Sequence, residues 1–200
     1  MCNLSTGDRK CPALARLLAF LAAERYSITM KFHLISLGCT KNTADSERIA
    51  NRFAGAGWFW ADKPEQADLI LINTCGFIRD AKEESLAIIM ENLKIKSGNP
   101  GVQVCVFGCL VKRYHSEIKR EIPEIDHLFE FMSEDQLTRL VSINTLPRVT
   151  PDYSQSWRFF TPPHIGILKI AEGCSNRCSY CAIPGIRGPF SSRRREDIIA

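Results

Sequence analysis

The sequence has no apolar run long enough to cross a bilayer. Its stretch "ALARLLAFLAA" at residues 13–23 falls short of the roughly 20 apolar residues that a membrane span needs. With Arg9 and Lys10 before it and small residues after it, this stretch resembles a weak signal peptide, but Arg16 inside the run counts against that. A large excess of charge of one sign is also lacking. The 26 Lys and Arg against 22 Asp and Glu give a net charge of +4, which permits an acidic or nucleic-acid partner without arguing for one. No H-E-x-x-H, no P-loop and no Ser-His-Asp arrangement is present, which leaves out the chemistries that those motifs carry.

What the sequence does have is cysteine, nine in 200 residues. The odd count and wide scatter fit a disulfide-stapled secreted domain poorly, and a chain 45% hydrophobic can build a core without staples. Reduced thiolates serving as metal ligands in a cytoplasmic protein are the expectation.

The chain first alternates strand and helix patterns. "KFHLISLG" (31–38), "ADLILINT" (67–74) and "VQVCVFG" (102–108) are short, nearly continuous apolar runs, as expected of parallel strands covered on both faces. Helical patterns lie at 43–57, at 80–98 with Leu86, Ile89, Met90 and Leu93 on one face, and at 112–122, ended by Pro123. A further strand at 127–131 and a helix at 133–143, capped by Ser133, complete the pattern. The expected fold is α/β, an open and mostly parallel sheet of four or five strands.

Residues 1–29 read as an extension outside the fold, and 30–143 as the first domain. Residues 144–164, with four prolines, read as a linker that Trp157, Phe159 and Phe160 anchor. A second domain begins at 165–200 with a strand at 165–173, a cysteine-dense loop and a helix start in "SSRRREDIIA". One β-loop-α unit cannot bury its own strand, so the chain is expected to stop inside that domain.

The cysteines fall into place on this plan. Cys39, Cys75 and Cys109, 36 and 34 residues apart, each end a strand: "LISLGC", "LINTC", "VFGC". Loops at the carboxyl edge of such sheets converge on ligands, so three thiolates can meet there to hold a metal or cluster. Cys105 lies within a strand and suits core packing. Cys2 and Cys11, in the extension, receive no role. "GCSNRCSYC" adds Cys174, Cys178 and Cys181 behind Gly173. A structural zinc site wants four ligands, so zinc here needs a distant fourth such as His164. An iron–sulfur cluster on three thiolates instead keeps one iron open for a substrate or cofactor.

Several other residues are candidates. Arg187, in "IRG", either touches a cofactor or cluster or makes a solvated or salt-bridged loop contact. Asn42 and Asn73 either donate to cluster sulfur or serve as turn asparagines. Asp45 and Glu47 suit a helix N-terminus. Arg193 to Arg195 suit a solvated helix start better than a contact with nucleic acid or an acidic partner.

"CSNRCSYC" resembles the C-x3-C-x2-C signature of the radical S-adenosylmethionine enzymes, in which an aromatic residue, here Tyr180, typically precedes the last cysteine. That resemblance implies a four-iron cluster on Cys174, Cys178 and Cys181. Its open iron would chelate S-adenosylmethionine, which one electron cleaves to a 5′-deoxyadenosyl radical. "SLGCTKNTADSE", "INTCGFI", "FGCLVKRY" and "EGCSNRCSYCAIPGIRGPFSSR" stand in the order and spacing of the methylthiotransferases, over roughly residues 31–200. This family similarity implies a second four-iron cluster on Cys39, Cys75 and Cys109, and the start of a radical S-adenosylmethionine partial TIM barrel at 165. It also implies S-adenosylmethionine bound near Tyr180 and Arg187.

In the implied mechanism one S-adenosylmethionine methylates a sulfur on the first cluster. The second yields the radical that removes a substrate hydrogen, and the carbon radical takes the methylthio group. "SLGC-x-KN-x-x-DSE" and "AIP-x-x-RG" resemble the ribosomal-protein branch (RimO type), which modifies the β-carbon of an aspartate in small-subunit ribosomal protein S-twelve. Thr40 departs from the proline usual there. The transfer-RNA branch (MiaB type) usually reads "YGCQMN" and "VPYTRG". The resemblance further implies an electron donor, a cytoplasmic monomer without membrane contact, and a barrel and substrate-binding domain continuing beyond this chain, which alone is expected to be inactive. Two other readings stand beside it: the transfer-RNA branch, and a non-catalytic iron–sulfur or zinc protein.

Overall fold

The computed structural model describes residues 30–142 and 159–199. The expectations for residues 1–29, for Trp157 and for most of the linker fall outside them.

Five parallel strands make the main sheet: β1 (Lys31–Ser36), β2 (Phe59–Trp60), β3 (Leu69–Thr74), β4 (Gln103–Gly108) and β5 (His127–Phe129), in the order β2-β1-β3-β4-β5. The connecting helices are α1 (Thr40–Gly55), α2 (Arg79–Gly98), α3 (Cys109–Glu121) and α4 (Glu134–Ser142). All six residues of β3 are buried, as its unbroken apolar run requires of a central parallel strand.

Strand periodicity divides the core in two. Leu69, Leu71, Cys105 and Phe107 point to one face, where Ile49 and Phe53 of α1 and Leu137 and Leu140 of α4 cover them. Ile70, Ile72, Val104 and Val106 point to the other, under Ile89 and Leu93 of α2 and Leu110 and Ile118 of α3. Each such fully buried side chain contributes about 1.5–3 kcal/mol. Cys105 is core, as expected, and burial followed by the nearby Asp126 pushes its thiol well above the usual range. Ser133 caps α4 as expected and does so reciprocally. Its Oγ accepts from Gln136 N at 3.2 Å, and Gln136 Oε1 accepts from Ser133 N at 2.9 Å, a capping box.

Five expectations need correction. First, α1 begins at Thr40 rather than 43, with Cys39 at its N-cap and no acid in its first turn. Asp45 and Glu47 are therefore not N-terminal acids. Second, α2 buries Ser85, Ile89, Asn92 and Leu93 while Leu86 and Met90 are 40% and 50% exposed, because the covered stripe follows the 85-89-92 row and 86 and 90 lie beside it. Third, α3 starts at Cys109, ahead of 112. Fourth, β2 was not anticipated, since two residues carry no period. Fifth, of the strand expected at 165–173 only β6 (Ala171–Glu172) forms, paired antiparallel with β7 (Ser191–Ser192). Leu168 and Ile170 are 65% and 56% exposed, and no parallel neighbour lies there among the described residues to pair with a longer strand. Helices α5 (Ile183–Arg187) and α6 (Glu196–Ile199) complete the chain. No helix among the described residues is long and apolar enough to cross a membrane.

The packing expected of Phe159 and Phe160 is present. Their rings pack on Trp60, with centroids at 4.8 and 5.8 Å. Glu47 fixes their backbone, accepting from the amides of Phe159, Phe160 and Thr161 at 2.9–3.0 Å and from Thr161 Oγ1 at 2.9 Å.

Candidate functional site

Strand order reverses between β1 and β3, and the crevice at such a switch point is the usual ligand position in open α/β sheets. Cys39 follows β1 and Cys75 follows β3, so they flank that crevice, and Cys109 follows the neighbouring β4. The turns bearing these cysteines touch. A Cβ added to Gly38 would lie 2.7 Å from Cys75 Cβ and 2.8 Å from its Sγ, and one on Gly76 would lie 2.8 Å from the Cys109 carbonyl oxygen. Gly38 also has φ +91, a conformation that other residues rarely adopt. Glycine beside each cysteine is thus what lets the three turns close on one another.

All three thiols are free. Cys75 and Cys109 are buried and Cys39 is exposed. Cys39 makes no side-chain capping bond, so its sulfur is uncommitted. Burial pushes the Cys109 thiol up, the neighbouring Arg187 opposes this, and the closeness of Cys75 and Cys39 adds to the rise. Two helices, α1 and α3, begin at this group, and their N-terminal dipoles favour an anionic occupant.

The surrounding polar groups are committed to holding the turns. Ser85 Oγ accepts from Cys75 N and donates to Cys75 O, each at 3.0 Å. Arg113 donates to Gly76 O at 2.7 Å. Asn42, fully buried, donates to Leu37 O at 2.8 Å and Thr74 O at 3.1 Å, and its Oδ1 lies 3.7 Å from Cys109 Sγ. Asn73 donates to Asn42 O at 3.0 Å and Ser46 Oγ at 2.9 Å. Neither is a turn asparagine: both are buried struts between strand ends, since an unpaired amide there would be costly.

Cys174, Cys178 and Cys181 sit in one loop, also as free thiols. Cys174 N donates to Gly188 O at 3.0 Å, and Cys181 N to Cys178 O at 3.1 Å. Tyr180 is 90% exposed. Arg187 is the opposite, with a side chain 4% exposed. It donates to Asp45 Oδ2 at 2.9 Å, Glu172 Oε2 at 3.2 Å and Asn42 Oδ1, and stacks 5.0 Å from the Phe131 ring. Burial works against its charge, yet Cys109, Asp45 and Glu172 outweigh burial and hold it protonated above its usual range. Lys169 bonds Asp45 at 2.7 Å and also pairs with Glu172. Burial raises the Glu172 pKa, but Lys169 and Arg187 outweigh it and the net shift is downward. Beside these residues lies a cavity of about 220 Å3 lined by Asp45, Arg48, Asn73, Lys169, Glu172 and Arg187.

Sequence reasoning missed Asp45, Lys169 and Glu172 as members of this cluster. The signal was present: "KIAEG" places Lys169 and Glu172 just ahead of Cys174, and Asp45 stands six residues past Cys39. His164 is exposed in a turn, and among the described residues no three His, Cys, Asp or Glu side chains converge tightly enough for a single metal ion. A cluster, by contrast, binds each thiolate to a different iron and needs wider spacing than a mononuclear site. Arg193, between β7 and α6, donates from its backbone to Ile170 O at 2.9 Å, and Arg195 O accepts from Ile198 N and Ile199 N at 3.1 Å, so Arg193 to Arg195 lead into a helix start as expected.

A family model described as "Uncharacterized protein family UPF0004" matches residues 31–130. Among curated proteins, the chain is 41% identical over 170 residues to the "Ribosomal protein uS12 methylthiotransferase RimO" of Sulfurihydrogenibium sp. (strain YO3AOP1), covering 85% of this chain and 38% of the relative. Proteins of the same name from Pelotomaculum thermopropionicum and Chlorobaculum tepidum are each 42% identical, covering 86% and 83% of this chain and 40% and 37% of themselves. The chain therefore spans about two fifths of the length of these relatives.

Proposed function

We propose a function from one premise: this chain belongs to the uncharacterized protein family UPF0004. Its function is that of a radical S-adenosylmethionine methylthiotransferase, and its substrate is ribosomal protein uS12, modified at the β-carbon of an aspartate. The uS12 methylthiotransferase relatives support this reading, as do the residues themselves.

Six free thiols in two groups are a donor set that suits iron–sulfur clusters. Cys39, Cys75 and Cys109 would hold one four-iron cluster; Cys174, Cys178 and Cys181 would hold the other, with S-adenosylmethionine at its open iron. When bound, these cofactors supply the electron, the radical and the methylthio sulfur. The chain's own residues do the rest. Gly38 and Gly76 allow the close turns, Asn42 and Ser85 lock them, and burial keeps water from Cys75 and Cys109.

One observation carries the proposal: two cysteine trios, the first formed from turns in contact at the sheet's switch point, the second on a loop tied to the same helix by Arg187 and Asp45. Mass spectrometry of uS12 and of transfer RNA from a strain lacking the gene tests it. Loss of the aspartate methylthio group with transfer RNA unchanged is expected. Loss of the transfer-RNA modification with uS12 unchanged would assign the chain to the other branch and overturn the substrate.

A further inference from the structure

The function proposed above needs two cysteine groups held at a fixed separation, and the residues that set this separation belong to neither group. Resting on that reading, we propose that Arg187 is a positioning residue. Its buried fork ties both flanks of the Cys174–Cys181 loop to the helix that begins at Cys39, and so fixes the distance between the two clusters.

The geometry is specific to arginine. Asn42 and Asp45 come from α1, three and six residues past Cys39. Glu172 lies two residues before Cys174, and Arg187 six residues after Cys181. One guanidinium reaches all three, through Nη1 to Asp45 and Glu172 and through Nη2 to Asn42. Lysine carries a point charge and cannot reproduce that fork. Asn42 Oδ1 also lies 3.7 Å from Cys109 Sγ, so the same contact that docks the loop touches the first trio. Helix α5, which ends at Arg187, packs on α3, which begins at Cys109.

Burial and committed partners separate this role from ligand binding. Arg187, Lys169 and, at the exposed edge, Lys41 face Asp45 and Glu172, three cations against two anions. The Arg187 fork, its side chain only 4% exposed, is spent on Asp45, Glu172 and Asn42. A buried charge so placed is costly to leave half-paired, so removing one partner releases the loop rather than merely weakening a surface bridge.

The test uses the full chain with Arg187→Gln, Arg187→Lys and Asp45→Asn. Before reconstitution, hydrogen exchange is followed for the peptide covering residues 173–193. After anaerobic reconstitution, iron is counted and the magnetic interaction between the two reduced clusters is measured by pulsed paramagnetic resonance. In Arg187→Gln we expect exchange at least about tenfold faster, unchanged iron, and a weakened, broadened interaction between clusters. Arg187→Lys should fail to restore the interaction, and Asp45→Asn should reproduce the loss in smaller degree. Unchanged exchange and unchanged interaction in Arg187→Gln would overturn the proposal. If that variant does not fold, unchanged exchange in Asp45→Asn overturns it instead. A wild-type chain that takes up fewer than two clusters refutes the proposed function, while the exchange result still decides whether Arg187 docks the loop.

Discussion

Gly38 and Cys75 meet more closely than any side chain at position 38 would allow. With φ at +91 and an added Cβ 2.7 Å from Cys75 Cβ, Gly38→Ala should cost about 1–3 kcal/mol in backbone strain alone, and the clash adds to it. Chemical denaturation of Gly38→Ala should show this loss. Gly98→Ala, where nothing lies within 4 Å of the added carbon, should leave stability unchanged or slightly raised. The contrast separates a glycine that the site requires from one that merely ends a helix. The cysteines divide in the same way: Cys105, between Val104 and Val106, is sealed in the core, and Cys39, between Gly38 and Thr40, is exposed.

Element by element, what could be read in advance depended on how many residues carried the signal. β3 is legible because six consecutive positions are buried, whereas β2 spans two residues and has no pattern to read. The start of α1 is hard to read because Asp45 and Glu47 suit a helix N-terminus, while the true N-cap, Cys39, caps nothing with its side chain. Asp45 and Glu47 were then free for tasks that only tertiary structure defines. Glu47 holds the chain at Phe159 to Thr161, more than a hundred residues away. Glu47→Gln replaces an acceptor of four bonds with a group that must present an N–H to some of those donors, and should cost about 1.5–3 kcal/mol. Hydrogen exchange of a peptide covering 159–161 should accelerate accordingly. No acceleration would mean that the aromatic packing on Trp60 anchors this segment unaided.

At the scale of the whole molecule, the two cysteine groups were legible as groups, since strand ends and C-x3-C-x2-C spacing depend on local sequence. Their mutual placement was not, because it rests on Arg187, Asp45, Glu172 and Lys169 meeting across 124 or more residues for the pairs with Asp45. The sheet supplies one trio at its switch point, and the ion cluster ties the residues that flank the other trio to α1. This arrangement has a purpose only if both trios are loaded. Iron and sulfide analysis of the anaerobically reconstituted chain, joined to Mössbauer spectroscopy, tests that claim most directly. The expected result is about eight irons per chain in two distinguishable four-iron clusters, falling to about four when Cys39, Cys75 or Cys109 is changed to Ser and unaffected by Cys105→Ser. Bound zinc with no visible-region absorption, or a single cluster insensitive to Cys75→Ser, would contradict it.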